Sequence, residues 1–332
     1  MKRRAKISIL TPVWNGMPYI KECVTSVIDQ KFTDWEMIIA DNCSDDGTWE
    51  YLQSLDDMRI QVIRHDENIG LYRNLNFVCA KATSPICQIL CADDYLTNTD
   101  ALGDIYDHWA GLPDEVGISA FLGKRRNNTA FIDFERETIP ATIGPGKAFL
   151  FFFVFYNFVG NLSNVGFRTA IIAQNNGFVL NMHYAGDCEF WSRASLDTGV
   201  AVLRKPLIFI RVHQNSVTNS ASKKGERFYQ FVEVYEANYQ RLVALYPELS
   251  SKLSVYGAMS LMSNISPTQL LTGNWVNMLA LEAAFKNVSF PPSKIIRWLV
   301  YFATFGGKAG RITFAKHLLN KVNAQSKVIV PE

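Results

Sequence analysis

Short apolar runs alternate with stretches of helical period over the first hundred residues. Ile7-Ser8-Ile9-Leu10-Thr11 reads as a strand closed by Pro12, and Tyr19 to Gln30 then places Ile20, Cys23, Val24, Val27 and Ile28 on one helical face. Trp35 to Ala40 reads as a second buried strand ending at Asp41. Asn42-Cys43-Ser44-Asp45-Asp46-Gly47 is turn chemistry, with Ser44 and Asp45 able to cap a helix over Thr48 to Leu55. Ile60 to Arg64 is a third strand. Arg73 to Ala82 carries Leu75, Val78, Cys79 and Ala82 at helical spacing, and Ile86 to Cys91 is a fourth strand running into Ala92-Asp93-Asp94. This alternation predicts a parallel sheet covered on both faces. In such sheets ligands bind beyond the carboxyl ends of the strands. Attention therefore falls on Thr11-Pro12-Val13-Trp14-Asn15, on Asp41-Asn42 and on Asp93-Asp94.

The pattern then becomes less regular. Val116 to Leu122 and Ala130 to Phe134 read as strands, the aromatic run Phe149 to Phe158 as a buried helix, and Asp187 to Leu196 as a helix with Phe190 and Ala194 four apart. Ile208 to Val212 reads as a further strand ending at His213. From Lys224 onward the period is helical, with breaks near Pro247, Pro267, Pro291-Pro292 and Gly306-Gly307.

Composition narrows the class. The 332 residues are 48% hydrophobic and 19% charged, which excludes disorder, collagen and coiled coil, and a net charge of +2 supplies no field for nucleic acid. Six cysteines without a C-x-x-C pair argue against a zinc ribbon or a redox motif. They read as reduced core residues, implying a cytosolic compartment. Met1 to Lys6 is basic, but Ser8, Thr11 and Pro12 interrupt the apolar stretch behind it, so no signal peptide is expected. Ala148 to Phe155 and Ile295 to Phe305 fall short of the ~20 apolar residues that span a bilayer, so no transmembrane helix is expected.

The near-neutral sum hides an asymmetry. Residues 283–332 hold eight Lys or Arg and one acid, whereas the preceding residues hold 25 basic and 30 acidic ones. The basic tail is also apolar, with Ile295, Ile296, Trp298, Leu299, Val300, Tyr301 and Phe302, then Phe314, Leu318 and Leu319. Two expectations stand side by side: a packed helical subdomain with a solvated basic rim, or peripheral contact with an anionic membrane through residues 291–332.

An ordered set of motifs carries a resemblance. These are Thr11-Pro12-Val13-Trp14-Asn15, Tyr19-Ile20, Ser26-Val27, Ile38 through Thr48, Asn68-Ile69-Gly70, Arg73-Asn74, Ala92-Asp93-Asp94, Gly186-Asp187-Cys188-Glu189-Phe190-Trp191 and Arg211-Val212-His213-Gln214-Asn215-Ser216. Together they resemble the family 2 glycosyltransferases, which have a GT-A fold. The resemblance covers about the first two thirds of the chain. It implies an α/β catalytic domain over residues 1–222, with a mostly parallel sheet and flanking helices. Residues 1–98 would be its nucleotide-binding half and residues 99–222 its acceptor half. Residues 223–332 would form an all-helical extension.

The activity implied is inverting transfer of a sugar from a nucleoside diphosphate, of UDP or dTDP type, to an acceptor hydroxyl. The acceptor would be a glycan or lipid-linked glycan in bacterial cell-envelope polysaccharide synthesis, and the cofactor a divalent Mg2+ or Mn2+. By the same resemblance Thr11, Pro12, Trp14, Asn15, Asp41, Asn68, Arg73 and Asp93 serve the nucleotide. Trp14 offers an aromatic face to the base, and Asp41 accepts hydrogen bonds from base or ribose. Asp93 and His213 bind the metal, because hard cations prefer oxygen ligands and neutralise a departing diphosphate. Asp187 is the general base, with Glu189 the competing carboxylate. Asp94, Ser163, Asn164, Arg168, Glu189 and Arg211 border the acceptor or the diphosphate.

Two positions depart from the family pattern: Cys91 stands at the first position of its Asp-x-Asp, and Gly186 where a Glu is usual. Each acidic residue also has a plain structural reading: a turn brace for Asp41, a solvated turn for Asp93-Asp94, a helix N-terminal acid for Asp187. The absence of a G-x-G-x-x-G after the first strand argues against a nicotinamide dehydrogenase, and Gly306-Gly307-Lys308-Ala309 is not a P-loop. A non-catalytic binding module on the same fold stays open.

Overall fold

A computed structural model of the chain describes residues 5–122, 130–213, 226–263, 276–287, 289, 293–303 and 311–326. The chain divides into two compact units. One comprises residues 1–126, 141–146 and 159–212, the other residues 127–140, 147–158 and 213–332. Gln214-Asn215-Ser216, Pro267, Pro291-Pro292 and Gly306 to Ala309 lie outside the described residues.

The first unit is built on an eight-stranded sheet. Its parallel half is β3 (Ile60–Arg64), β2 (Trp35–Asp41), β1 (Ile7–Val13) and β4 (Ile86–Ile89), in that order. Next to β4 comes β8 (Val165–Arg168), antiparallel to it. Then come β6 (Val116–Phe121), β9 (Gly199–Leu203) and, at the edge, β7 (Thr142–Ile143). All seven residues of β1 are buried, as a central strand covered on both faces requires. Ile9 and Val13 pack with Ile20 and Val24 of α1 (Tyr19–Ile28) and with Leu102 and Ile105 of α4 (Ala101–Ala110). On the other face α3 (Leu71–Lys81) lies over β1 and β2 with Leu75 and Val78 buried. A two-residue ribbon, β5 (Tyr95–Leu96) with β10 (Ile208–Phe209), follows the end of β4.

Three sequence expectations change. Strand β1 runs through Pro12 to Val13 rather than stopping before it. Val13 O accepts from Asn42 N on the β2 side and Leu10 O from Leu90 N on the β4 side. Alternation therefore points the Pro12 nitrogen toward the β4 side, where it has no N–H to donate to the next carbonyl, and the β1–β4 pairing accordingly ends at Leu10–Ile89. Residues Ala130 to Phe134 belong to a helix, α5 (Ala130–Thr138), not a strand. Five residues were too short a window to separate a period of 2 from 3.6, and Glu135, Arg136 and Glu137 continue the helix. The strand expected over Ile208 to Val212 is only two residues long, and Val212 is exposed.

The second unit is helical. All eight side chains of α6 (Ala148–Phe155) are buried. Phe153 lies 5.6 Å from the Tyr235 ring of α9 (Glu226–Leu245) and 5.9 Å from the Tyr256 ring of α10 (Ser250–Met262). Tyr256 Oη donates to Val154 O at 2.7 Å. The aromatic run is thus core. The remaining described helices are α11 (Val276–Ala284), α12 (Lys294–Ala303) and α13 (Arg311–Ser326). All six cysteines are free thiols, with Cys43 and Cys91 half-buried and the rest buried. Among the described residues no helix is long and apolar enough to cross a membrane.

Phe153 is fully buried between two tyrosines, so Phe153→Ala is expected to lower the stability of this unit by about 3–5 kcal/mol. The drop in the urea midpoint checks it; an unchanged midpoint contradicts the packing described.

Candidate active site

The site begins where the parallel strands end level. Val13 pairs with Asp41, and Asp41 with Arg64. Short polar side chains then stitch the loop after β1 to the loop after β2. Asn15 N donates to Ser44 Oγ at 2.8 Å, Gly16 N to Thr48 Oγ1 at 2.9 Å, and Met17 N to Asp46 Oδ2 at 2.9 Å. Asp45 N donates back to Asn15 Oδ1 at 3.1 Å. Asn15 sits at φ 51, a left-handed conformation that asparagine tolerates. With its loop pinned on both sides, Trp14 is left 58% exposed, an aromatic face turned out of the core at the strand ends. Thr11 and Pro12 are buried in β1 beneath it. The helix start differs from expectation: Gly47 is the N-cap, without a side-chain cap bond. Asp46, rather than Ser44 or Asp45, accepts from Thr48 N, at 3.0 Å, at the start of α2 (Thr48–Gln53).

Asp41 is fully buried. Its carboxylate accepts from Ser44 N at 3.3 Å and faces Arg64 Nε at 3.4 Å. Its placement joins the two earlier readings: it braces the turn and stands at the strand end where a ligand would bind. Asn68 shapes the next loop, its Oδ1 accepting from Asn42 Nδ2 at 2.7 Å and from Gly70 N at 3.0 Å. Arg73 is exposed near the start of α3, and its guanidinium makes no hydrogen bond or ion pair among the described residues.

Beyond β4, Cys91, Asp93 and Asp94 bring one sulfur and two carboxylate oxygens within 4.8 Å of one another. Asp94 is buried, and both its oxygens are used. Oδ2 accepts from Ser163 Oγ at 2.5 Å, and Oδ1 accepts from Arg211 N at 2.8 Å. Ser163 Oγ in turn accepts from Cys91 N at 2.8 Å. Burial, and then the neighbouring Asp93 charge, push the Asp94 carboxyl up to about 7, against the opposing pull of its two donors. Arg211 Nε donates to Asp93 O at 2.9 Å, its guanidinium pairs with Glu22, and its Cζ lies 4.6 Å from the Tyr19 ring centre. Burial followed by Asp94 and Asp93 holds the Cys91 thiol well above its ordinary range. The donor set therefore fits a hard divalent cation through Asp93, with Asp94 as the brace, and Cys91 stays protonated in the metal-free protein.

Asp187 lies in the first turn of α8 (Gly186–Ala194), where its Oδ1 accepts from Cys188 N at 2.7 Å. Asp187 N donates to the Tyr72 hydroxyl at 3.0 Å. The glycine before it makes this contact possible, because a Cβ at Gly186 would stand 2.8 Å from two Tyr72 ring carbons. Burial pushes the Tyr72 phenol well above its ordinary value, Asp187 adds to the shift, and Cys91 contributes as well. The phenol thus links the start of α8 to the first turn of α3. Glu189, the competing carboxylate, is engaged elsewhere: it pairs with Arg193 Nε at 2.6 Å. Arg193 also donates to Gly177 O at 3.0 Å, behind α7 (Ala170–Gln174).

One predicted residue is not brought to this place. Arg168 pairs with Ile86, the first residue of β4, so it lies at the opposite edge of the sheet, donating to Val116 O at 2.9 Å. His213 belongs to the second unit. Asn164 is half-buried beside Ser163, in the turn Leu162–Asn164. Sequence reasoning missed Tyr72 and Glu22. The one available signal for Tyr72 was Gly186, a glycine in a helix start where no positive φ calls for one.

Gly186→Ala is expected to cost about 1–3 kcal/mol, because the added methyl meets a buried ring; thermal unfolding checks it, and a neutral result contradicts the contact. Asp94 gives a pH signature in the metal-free protein. Its native value of about 7 exceeds the ordinary 3.8, so the native state binds the proton more tightly than the unfolded state. The stability it contributes is present at low pH and is lost as pH rises between about 4 and 7. Urea unfolding across that range in EDTA should show Asp94→Asn gaining on the parent as pH rises; parallel curves contradict the assignment.

The model of the family described as Glycosyl transferase family 2 matches residues 8–160. The putative teichuronic acid biosynthesis glycosyltransferase TuaG of Bacillus subtilis (strain 168) is 40% identical over 90 residues, covering 26% of this chain and 36% of that protein. The chain spans about a third of the length of the first curated relatives it matches. Among solved structures, S. aureus TarS 1–349 in complex with UDP-GlcNAc superimposes with a TM-score of 0.56 at 16% identity, covering 95% of this chain and 92% of that one. The mannosyltransferase PcManGT from Pyrobaculum calidifontis, in complex with GDP-Man and Mn2+, gives 0.55 at 16% identity, covering 98% and 89%. The family 2 glycosyl transferase match thus covers residues 8–160, and the chain has a GT-A-like fold followed by a helical C-terminal region.

Proposed function

We propose that the chain transfers a glycosyl group from a nucleoside-diphosphate sugar to an acceptor hydroxyl, with inversion at the anomeric carbon, in the synthesis of a cell-envelope polysaccharide. What supports the reading is that Asp187 N donates to the hydroxyl of Tyr72, in the first turn of α3 after β3, while Cys91, Asp93 and Asp94 cluster after β4, both beyond the carboxyl ends of parallel strands. Trp14 offers its exposed face to the base, Asp41 and Asn68 hold the surrounding loops, and Arg73 supplies positive charge for the diphosphate.

In the reaction the Asp187 carboxylate takes the proton of the acceptor hydroxyl. The acceptor oxygen bonds to the anomeric carbon as that carbon's bond to the phosphate oxygen breaks. The electron pair leaves with the nucleoside diphosphate. A divalent Mg2+ or Mn2+ on Asp93, when bound with the diphosphate oxygens, supplies charge neutralisation to the leaving group. Asp94, Ser163 and the Arg211 amide keep the Asp93 segment in place.

A UDP-type donor is supported by TarS with UDP-GlcNAc, while PcManGT carries GDP-Man on a similar fold, so a nucleotide-sugar panel decides the donor. TuaG, by its name, serves teichuronic acid biosynthesis, which supports a glycan acceptor, free or lipid-linked. Cys91 at the first position of the acidic motif favours a second reading, a binding module without turnover. Melting with UDP and Mn2+ together with turnover separates the two: a shift without transfer of any sugar in the panel supports the module.

Asp187→Asn is expected to lower transfer by about 10²–10⁴-fold while leaving the nucleotide dissociation constant nearly unchanged. Steady-state kinetics and calorimetry check the pair of effects; retained turnover contradicts the role.

A further inference from the structure

One helix of the second unit is turned inside out with respect to charge. In α12 the cation faces inward: Arg297 is 8% exposed and pairs with Glu282 Oε2 of α11 at 2.5 Å. Trp298 Nε1 donates to the other oxygen of the same carboxylate at 2.9 Å, and Tyr301 is buried beside them. Glu282 thus fixes the rotation of the helix. The outward positions are apolar: Ile295 is 73% exposed, Leu299 64% and Phe302 65%, with Ile296 beside them at 45%. Spacings of four and three residues put Ile295, Leu299 and Phe302 on one stripe. Single exposed apolar residues need no explanation, but a stripe held outward by a buried ion pair does.

Charge selects among the occupants of such a face. No Asp or Glu occurs from Ala283 to Pro331, while eight Lys or Arg do. Arg297 is turned inward, and Arg311 donates to Ser260 Oγ at 2.9 Å. Lys286, Lys294, Lys316 and Lys321 remain exposed. A second copy of the chain would set this positive surface against itself, whereas an anionic bilayer offers acyl chains to the stripe and phosphates to the lysines. A ten-residue helix is about 15 Å long, too short to span a bilayer and suited to lying in its headgroup plane.

We propose that the outward face of α12, with Lys294 on the same helix and the acid-free, lysine-bearing stretch that contains it, docks the protein peripherally on an anionic lipid surface. The proposal is independent of the reaction assigned above. It is tested by sedimenting the full chain with phosphatidylglycerol vesicles and with phosphatidylcholine vesicles. The triple variant Ile295→Ser, Leu299→Ser, Phe302→Ser and the pair Lys294→Glu, Lys321→Glu are measured alongside. These positions are exposed, and unchanged melting temperatures show that the variants fold. The parent should bind phosphatidylglycerol at least about tenfold more strongly than phosphatidylcholine, and each variant should lose about tenfold or more. Absence of parent binding, equal binding to both lipids, or variants that bind like the parent overturns the proposal. So does a parent dimer that the triple variant converts to monomer without any vesicle binding, which would assign the face to a second copy.

Discussion

The buried carboxylate of Asp94 is the interaction on which the site depends. Three stretches of chain far apart in sequence meet on it: its own turn after β4, the Ser163 hydroxyl ahead of β8, and the Arg211 amide beyond β10. A carboxylate taken out of water is costly unless hydrogen-bonded, so these two donors are requirements of folding as much as of function. The bond to Arg211 falls two residues after β10, and Val212 beyond it is exposed. The Ser163 hydroxyl also accepts from Cys91 N, so one side chain fixes both ends of the Cys91 to Asp94 turn.

The rest of the site follows from strands that end level. Their loops carry polar side chains that satisfy backbone groups across the gap, and this bonding leaves Trp14 as the part of the first loop that projects. On the other side a glycine substitutes for a larger residue so that Tyr72 can hold the amide of Asp187. One departure from the family pattern thus has a packing reason: Gly186 makes room for the Tyr72 ring.

Much of this was legible in the sequence. Strands β1 to β4 carry nearly continuous apolar runs followed by turn chemistry, so their order and their ligand-bearing ends could be read directly. The acidic residues were legible as types but not as roles. Nothing local distinguishes Asp94, which braces, from Asp93 beside it, because the difference lies in Ser163 and Arg211, distant in sequence. Glu189 and Asp187 were separable only once the partner of Glu189, Arg193, was seen. Arg168 misled because neighbours in sequence along an antiparallel strand travel away from the site: Ser163 stands at the end of β4 and Arg168 at its start. The helix over Ala130–Thr138 was lost to a window too short for its period.

The central claim is that one carboxylate, Asp187, acts on the acceptor while the diphosphate departs from the opposite face of the sugar. The anomeric configuration of the product tests it most directly. With whichever nucleotide sugar supports turnover, proton NMR of the fresh product should show the configuration opposite to that of the donor. A product that retains the donor's configuration would contradict the single-displacement account.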